Sequence, residues 1–506
     1  MTRCPPRWTL TDALFLGLVV ASVLPVLLAR YPASVNYLNH LARLHILAAQ
    51  PDSPVRQFYE IHWGLIPNLA VDLLWAALHR VASPEAVLKG ALVAATVTLG
   101  LSVWFLHRSF FSRTQPTVLL GAICLLNLSS AVGMINFALG LPLIFLALGG
   151  WIRMGGEVSG RSLLLLNVIG AAAYFAHIAA LAALALTIAT YHCLQPPRSA
   201  RAMLVRAVQL IPGFLLPALL VLGGAIERWH EATSRTGAPI DFTTTKAFTP
   251  VAAFFSGRTA TDIAALCATA AIVILCRGSI VPRLKPVLAI WVAVILAAPS
   301  SIGTADLIDT RLVVIPVLLY LSAIAFEPKP IRASGLAMLA ASLVIIRVLI
   351  LVPSLRVHDA HVRSFRAIDG QVERGARVIV ATATASGCDS VHSWDLLEEH
   401  VPSLLSIDRD AFVSNVFAGE GMQPIRWKLN LLHTAKPNLI APSFSELENT
   451  AMYMGWRDHY DYLALRDCLP ERAPLQELLL VARSDTYRIY KVVHPHRPLT
   501  ARSGAT

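Results

Sequence analysis

The chain has 506 residues, of which 56% are hydrophobic and only 14% are charged. Soluble globular domains carry about 25% charged residues, so this composition excludes a wholly water-soluble protein. The net charge is +11, yet residues 354–506 hold 17 Lys and Arg against 18 Asp and Glu. The basic excess therefore lies among the apolar segments, where it indicates membrane topology and not a nucleic-acid footprint.

Eleven apolar stretches approach the roughly 20 residues that a bilayer requires. They predict spans at 11–29, 86–106, 117–132, 135–151, 162–178, 180–195, 207–225, 259–276, 286–299, 311–326 and 333–353. Short basic loops recur on the side of Arg3 and Arg7, so the positive-inside rule places the N-terminus in the cytoplasm and the C-terminus outside. We expect residues 1–353 to form a transmembrane helical bundle whose first span is not cleaved.

The outer loops carry the polar groups of this domain. Residues 30–85 form a long outer loop in which 65–82 predicts an amphipathic helix at the interface. A shorter outer loop, 299–310, carries Asp306 and Asp309 just before Arg311. Both regions are therefore candidate locations for a site at the outer face.

Residues 354–493 predict a small α/β domain outside the membrane, and 494–506 a disordered tail. The expected elements are helices at 356–374 and 394–406, strands at 377–382 and 461–467, and a hairpin over 478–493. Cys388 and Cys468 lie in this domain, and the sequence leaves open whether they form a disulfide. The fold class is thus mainly α, with a small C-terminal α/β domain.

Signatures of soluble enzymes are absent from the sequence. It contains no P-loop, no dinucleotide glycine fingerprint, no zinc-protease motif and no Cys/His metal spacing, so no cofactor or metal is assigned. The first outer loop is more informative, because Asn36, Asn39, His40 and Arg43 share one face of a helix. A His and Arg pair suits a phosphate, although a solvated helix facing lipid headgroups explains the same residues.

Four segments carry a resemblance to a known superfamily. NHLARLHIL (39–47), PNLAVDLL (67–74), INFALGLPL (135–143) and AYFAHIAAL (173–181) resemble a group of bacterial membrane proteins related to the glycosyltransferase C superfamily. The arrangement of a first span, a long outer loop, many further spans and an outer C-terminal domain also resembles those enzymes. The resemblance implies a transferase at the outer face of the inner membrane.

The resemblance further implies a polyprenyl-phosphate-linked sugar as donor, a glycan, lipid or protein as acceptor, and an acid in the first outer loop. It places that acid at position 36, where this chain has Asn36, and an amide cannot act as a general base. The replacement candidates are Asp72, Asp309 and Asp306. The developing phosphate charge then falls to His40, Arg43 or Arg311.

Structural roles explain the same carboxylates. In that interpretation Asp72 pairs with His79 or Arg80 or acts as a cap at the level of the lipid headgroups, and Asp306 and Asp309 stabilise a helix N-terminus.

The polar residues inside the predicted spans have structural interpretations as well. Asn136 and His177 suit hydrogen bonds between helices, and Arg347 lies near enough to the outer interface to snorkel.

Two other functions compete with the transferase. A non-catalytic protein that binds a polyprenyl lipid or assists an envelope-polysaccharide machine is favoured by Asn36. A secondary transporter is disfavoured, because the sequence shows no pair of similar halves.

Overall fold

The computed structural model describes residues 8–232, 240–241, 244–275, 278–302, 307–325, 330–383, 395–418, 423–428, 441–467 and 477–493. Within these ranges the chain forms two compact units. The helical unit comprises the described parts of Met1–Ser34, Trp63–Arg356 and Glu420–Pro424. The sheet unit comprises the described parts of Val35–His62, Val357–Gly419 and Ile425–Thr506. The segment after the first span, residues 35–62, therefore belongs with the C-terminal residues.

The first half of the chain is almost entirely helical. Its helices are α1 Leu10–Leu28, α2 Tyr37–Ala48, α3 Ala70–Leu78, α4 Pro84–Phe110, α5 Val118–Ile123, α6 Leu128–Val132, α7 Ile135–Arg153, α8 Gly160–Ala176, α9 Ile178–Cys193, α10 Ala200–Leu210 and α11 Leu215–Ala232. Short 3₁₀ helices occur at Pro54–Gln57 and Ile211–Phe214. The expected amphipathic helix over 65–82 is present only as α3, because Asn68 has a left-handed φ of 68° and the helix begins after it.

The second half mixes helices with short strands. Its helices are α12 Thr259–Leu275, α13 Lys285–Ala297, α14 Ile308–Leu312, α15 Val314–Ala323, α16 Pro330–Arg366, α17 Leu404–Asp408, α18 Phe444–Asn449 and α19 Trp456–His459. A long 3₁₀ helix runs over Thr244–Phe254, and shorter ones cover Pro282–Leu284, Asp369–Gln371, Asp395–Glu398, Val401–Ser403 and Ala451–Tyr453. The expected helix over 356–374 is mostly the end of α16, which continues without a break past Pro353.

Five helical segments in the described part of the chain are long and apolar enough to cross a membrane. They are Leu10–Leu28, Pro84–Phe110, Ile135–Arg153, Ala200–Ile226 and Gly335–Gln371. The other predicted spans coincide with helices that are shorter or interrupted, such as α8, α9 and α12. The predicted count of eleven spans is therefore not confirmed. The predicted mainly helical architecture with several apolar helices is confirmed.

The sheet unit is built on a five-stranded mixed sheet. Its strands are β6 Arg377–Thr382, β7 Phe412–Val413, β9 Tyr462–Arg466, β10 Leu478–Arg483 and β11 Tyr487–Val492, in the order β10-β11-β9-β6-β7. Strand β6 runs parallel to both neighbours, whereas β10, β11 and β9 form an antiparallel meander. The strand predicted over 377–382 and the hairpin over 478–493 are confirmed.

Shorter strands complete the description. They are β1 Tyr59–Ile61, β2 Ile240–Asp241, β3 Ser279–Ile280, β4 Ser301–Ile302, β5 Ile324–Ala325 and β8 Ile425–Trp427. Strand β1 pairs with β8 in an antiparallel ladder. The expected helix over 394–406 is wrong: two 3₁₀ turns precede α17, because Pro402 has no N–H to donate within a longer helix.

Close packing in the helical unit depends on glycines where helices meet. A Cβ added at Gly140 of α7 would lie 2.5 Å from the Cβ of Ala180 on α9. We expect Gly140→Ala to lower the free energy of unfolding by about 1–3 kcal/mol, because overpacking forces the helices apart. Unfolding of the detergent-solubilised full chain would measure this change.

Gly90→Ala in α4 is the matched control, because a Cβ there meets nothing within 4 Å. Its expected effect is a gain of up to about 1 kcal/mol from helix propensity. Equal stability of the two variants would contradict the close contact at Gly140.

Candidate functional site

Three of the segments that carry the resemblance meet in the helical unit. The side-chain amide of Asn136, the second residue of α7, donates through Nδ2 to the carbonyl of Asn68. Its Oδ1 accepts the backbone N–H of Val71 at 2.9 Å. Both halves of this buried amide are thus used to fix the turn that leads into α3. The interhelical role expected for Asn136 is the one observed.

Helix α8 holds the same turn from its other side. The hydroxyl of Tyr174 donates to the carbonyl of Leu65 at 2.7 Å, and the carbonyl of Phe175 accepts the N–H of Leu69 at 2.7 Å. Asp72 follows in the first turn of α3 and its side chain is fully buried, with 0% of its surface exposed. The turn that leads into Asp72 is therefore fixed by residues from two other helices.

His177 and Arg311 place two donors beside each other. His177 caps α9, and its Nδ1 accepts the N–H of Ala179 at 3.0 Å, so the neutral ring carries its proton on Nε2. That Nε2 lies 3.5 Å from Nη1 of Arg311, which is also a donor. Phe137 packs edge-on against the ring with centroids 5.3 Å apart. Two adjacent donors of this kind suit a shared anionic oxygen.

Asp309 forms an ion pair at the start of α14. Its Oδ2 lies 3.3 Å from Nζ of Lys246 and accepts from the hydroxyl of Ser300 at 3.2 Å. The side chain is 2% exposed. The preceding Leu307 has a left-handed φ of 58°, which is strained for a leucine and places Asp309 in the first turn of the helix. The carboxylate therefore has a strong charged partner besides the helix N-terminus expected for it.

A cavity of about 510 Å³ lies beside this ion pair. Its wall is formed by the 3₁₀ helix Thr244–Phe254 together with α12, α13 and α15, and Lys246 is its charged residue. The remaining lining is almost entirely aliphatic or aromatic. This volume falls within the range of roughly 300–1,000 Å³ that is usual for small-molecule sites.

The helical unit contains a second buried ion pair. Nη2 of Arg347 lies 3.4 Å from Oδ1 of Asp262, and it also donates to the carbonyls of Phe254 and Leu126. Arg347 is 4% exposed, so the expected snorkelling to the interface is wrong: the guanidinium turns inward to a carboxylate. Sequence reasoning missed Asp262, which lies 85 residues away along the chain.

The polar residues of α2 lie in the sheet unit. Nδ2 of Asn39 donates to the carbonyl of Asn415 at 2.7 Å, and its Oδ1 accepts the N–H of Phe417 at 2.7 Å. His40 packs near Phe417 and is 6% exposed, while Arg43 is fully buried. This end of α2 is therefore part of the core of the sheet unit. It is not the solvated interfacial helix that was the alternative interpretation.

Asp410 gathers three partners from separate parts of the sheet unit. Its carboxylate accepts from Arg374 and from the hydroxyl of Ser53, and lies 3.6 Å from Nε2 of His45. Burial by itself raises the pKa of Asp410, but the hydrogen bonds from Arg374 and Ser53 and the nearby positive charges hold it below its usual range. The contacts tie α2 and the loop after it to the sheet.

Two histidines share one carboxylate at the end of α16. Nδ1 of His358 and Nδ1 of His361 lie 3.0 and 3.2 Å from Oε1 of Glu398. Burial raises the pKa of Glu398, but the charge and hydrogen bonds of both histidines outweigh it and lower the pKa to about 2. The hydrogen bond to Glu398 raises the pKa of His361. Sequence reasoning missed this cluster, although His358 and His361 are spaced to share a helix face.

The predicted site residues are thus distributed over both units. Asp72, Asp309 and Arg311 belong to the helical unit, whereas Asn36, Asn39, His40 and Arg43 belong to the sheet unit. Asn36 is the N-cap of α2, and its side chain makes no capping hydrogen bond.

Some predictions concern residues beyond the described part. Asp306 and the cysteine pair Cys388 and Cys468 lie outside the described residues. Within the described residues, no cluster of His, Cys, Asp and Glu could hold a metal ion.

The Asn136 hydrogen bonds generate a first test of the site. Asn136→Leu keeps the branched shape of the side chain but leaves the carbonyl of Asn68 and the N–H of Val71 without these partners. We expect it to lower the free energy of unfolding by about 2–4 kcal/mol and to raise hydrogen exchange over residues 68–75. Asn449→Ala, at an exposed position in the sheet unit, should leave both readouts unchanged. Unchanged exchange at Val71 in Asn136→Leu would contradict the contact.

The cluster at Glu398 predicts a pH dependence. The raised pKa of His361 contributes stability that is complete below its usual value of 6.5 and is lost as the pH rises through the folded value. The lowered pKa of Glu398 contributes stability above its usual value of 4.5 that is lost as the pH falls toward about 2. The sheet unit should therefore resist proteolysis best between about pH 4.5 and 6.5.

His361→Ala should remove the loss of protection that follows as the pH rises above about 6.5, measured by limited proteolysis of the full chain. His459→Ala is the control. The same alkaline loss in wild type and His361→Ala would refute the role of His361.

Comparison with known proteins adds no relative. No protein-family model, no curated protein and no solved structure matches the chain. The resemblance to the glycosyltransferase C superfamily therefore stays a prediction, and the arrangement described above rests on the contacts of this chain alone.

Proposed function

We propose that the chain is a glycosyltransferase-like integral membrane protein of the bacterial inner membrane. It takes a sugar from a polyprenyl-phosphate carrier at the outer face, with its N-terminus in the cytoplasm and its C-terminal residues in the periplasm. The observation that carries this proposal is a chain of contacts: Asn136 binds the turn before the buried Asp72, and the neighbouring Phe137 packs against His177, which lies beside Arg311. An acid and an anion-binding pair held by one group of helices are what such a transfer requires.

The chemistry assigns one role to each group. A hydroxyl oxygen of the acceptor attacks the anomeric carbon of the sugar, and the bond from that carbon to the phosphate oxygen breaks. Asp72 accepts the hydroxyl proton. The electron pair of the broken bond stays on the leaving lipid phosphate, whose charge is held by Arg311 and the Nε2–H of His177. Because both donors are fixed before the reaction, they need no reorganisation when the charge develops.

Asp309 receives a different role. Its carboxylate already neutralises Lys246 and accepts from Ser300. We therefore do not assign the proton transfer to it. We assign Asp309 to the positioning of α14, which carries Arg311 two residues later. We assign the proton transfer to Asp72, which lies in the first turn of α3, directly after the turn that Asn136 binds.

The test is the accumulation of a lipid-linked sugar when the protein is removed. Membranes of a deletion strain, labelled with radioactive sugar and extracted with organic solvent, should contain the carrier-linked sugar in excess. Wild-type protein should clear it. Asp72→Asn should slow the clearance by about 10²-fold or more, because the amide cannot accept a proton. Asp52→Asn, in an exposed loop, should clear it like wild type.

Two substitutions of Arg311 distinguish the effect of its charge from the effect of its packing. Arg311→Lys keeps the charge and should retain more activity than Arg311→Gln, which removes it.

Full clearance of the carrier-linked sugar by Asp72→Asn would exclude Asp72 as the base.

A second candidate is favoured by Asn36, which stands where the resemblance places an acid. In that case the protein binds the lipid carrier without transferring the sugar. Absence of any accumulation in the deletion strain, together with retained binding of polyprenyl phosphate by the purified protein, would favour this candidate.

A further inference from the structure

The segment Ala200–Ile226 is long and apolar enough to cross a membrane, yet it is not one continuous α-helix. The 3₁₀ helix Ile211–Phe214 forms a break between α10 and α11. Pro212 and Pro217 have no N–H, so neither can donate to the carbonyl four residues earlier. Backbone groups at the break therefore need partners from another element, because hydrocarbon offers none.

The side chain of Asn167 on α8 supplies two of these partners. Its Nδ2 donates to the carbonyl of Pro212 at 2.7 Å, and its Oδ1 accepts the N–H of Leu216 at 2.9 Å. In a continuous α-helix these two backbone groups would bond to each other, because they are four residues apart. The amide of Asn167 thus stands in the place of one hydrogen bond of the helix. Insertion of a side chain at such a point redirects a helix, so Asn167 sets the direction in which α11 leaves the break.

Helix α11 runs along α8 from the break to the turn before α3. A Cβ added at Gly170 of α8 would lie 2.5 Å from Cγ of Pro217, so the two helices touch directly after the break. Further along α11, a Cβ added at Gly223 would lie 3.1 Å from Cδ1 of Leu65. Leu65 precedes Asp72 by seven residues, in the segment that leads into α3. Helix α11 therefore packs against the same turn that precedes the candidate base.

We infer that Asn167 is a positioning residue for the proposed transfer. It directs α11 at the break, α11 meets Leu65 at Gly223, and this contact supports the turn before Asp72. The inference rests on the proposed function, because Asp72 acts as a base only if the protein transfers a sugar. A purely structural role, in which the amide only satisfies the break, predicts no selective effect on the turn.

The first experiment is hydrogen exchange of the full chain in nanodiscs without substrate. Asn167→Leu removes both hydrogen bonds, so α11 is no longer tied to α8 at the break. Exchange over residues 66–75 should rise by about tenfold, because the turn opens more often. Exchange over α4 is the internal reference and should change by less than about twofold. Val168→Leu, at the next position of α8 and 58% exposed, is the control and should exchange like wild type.

The same variants are then compared in the deletion strain. Asn167→Leu should slow the clearance of the carrier-linked sugar by about tenfold, because a displaced base lies away from the acceptor hydroxyl. Val168→Leu should clear it like wild type.

A double variant tests whether the effect passes through Leu65. Leu65→Ala removes the side chain that Gly223 faces and keeps the carbonyl that Tyr174 binds. By itself it should raise exchange over residues 66–75 and slow clearance, and it leaves the hydrogen bonds of Asn167 in place. The double variant N167L/L65A should match the more affected single variant within about twofold, because both changes break the same path. Independent effects would instead multiply.

Three results of the exchange experiment would overturn the inference. Exchange over residues 66–75 could stay unchanged in Asn167→Leu, or rise equally over these residues and over α4, which would reduce Asn167 to general stability. Multiplied effects in N167L/L65A would show that the path does not include Leu65.

The clearance assay distinguishes this inference from the proposed function. Clearance like wild type by Asn167→Leu, together with slow clearance by Asp72→Asn, would overturn the role of Asn167 and leave the transfer intact. Absence of accumulated carrier-linked sugar in the deletion strain would refute the transfer itself, and with it any role of Asn167 in transfer.

Discussion

The amide of Asn136 is the contact on which the candidate site in the helical unit depends. Away from water, every backbone group of a non-helical turn needs a partner within the protein. The turn before α3 is such a segment, and Asn136, Tyr174 and Phe175 supply those partners. Because these residues come from α7 and α8, the position of Asp72 is set by the packing of two helices and not by its own short helix.

The same contacts connect the three segments 67–74, 135–143 and 173–181. Asn136 meets the turn, and Phe137 after it meets His177. His177 in turn occupies the break between α8 and α9, where it caps the second helix and reaches Arg311. Asn136 and His177 therefore each connect separate segments of the helical unit through hydrogen bonds.

Much of the local structure was predictable from the sequence, because period and hydropathy are local properties. The buried strand Arg377–Thr382, the hairpin formed by β10 and β11, and the apolar helices follow from them. The helix expected over 394–406 failed because Pro402 and tertiary contacts outweigh its apolar spacing. The number of spans is not settled by hydropathy either, since several apolar helices are shorter than a bilayer requires.

The site itself was only partly predictable. Sequence composition nominated Asp72, Asp309 and Arg311, but not Lys246, whose partner Asp309 lies 63 positions further along the chain. In the same way, Asn39 bonds to Asn415 across 376 residues, so its role in the core of the sheet unit has no local signal. Contacts between residues so far apart in the chain depend on the tertiary fold, and hydropathy and residue spacing in a single sequence do not reveal them.

The left-handed backbone of Leu307 has a consequence for the dynamics of the candidate site. For a residue with a Cβ this conformation costs roughly 1–2 kcal/mol, so the surrounding contacts must supply that free energy. The hydrogen bonds of Ser300 with Ile308 and with Asp309 are among those that do so. The backbone at Leu307 is therefore strained within the helical unit. Local opening should begin there, and it would release Arg311 from its place beside His177 before any whole helix moves.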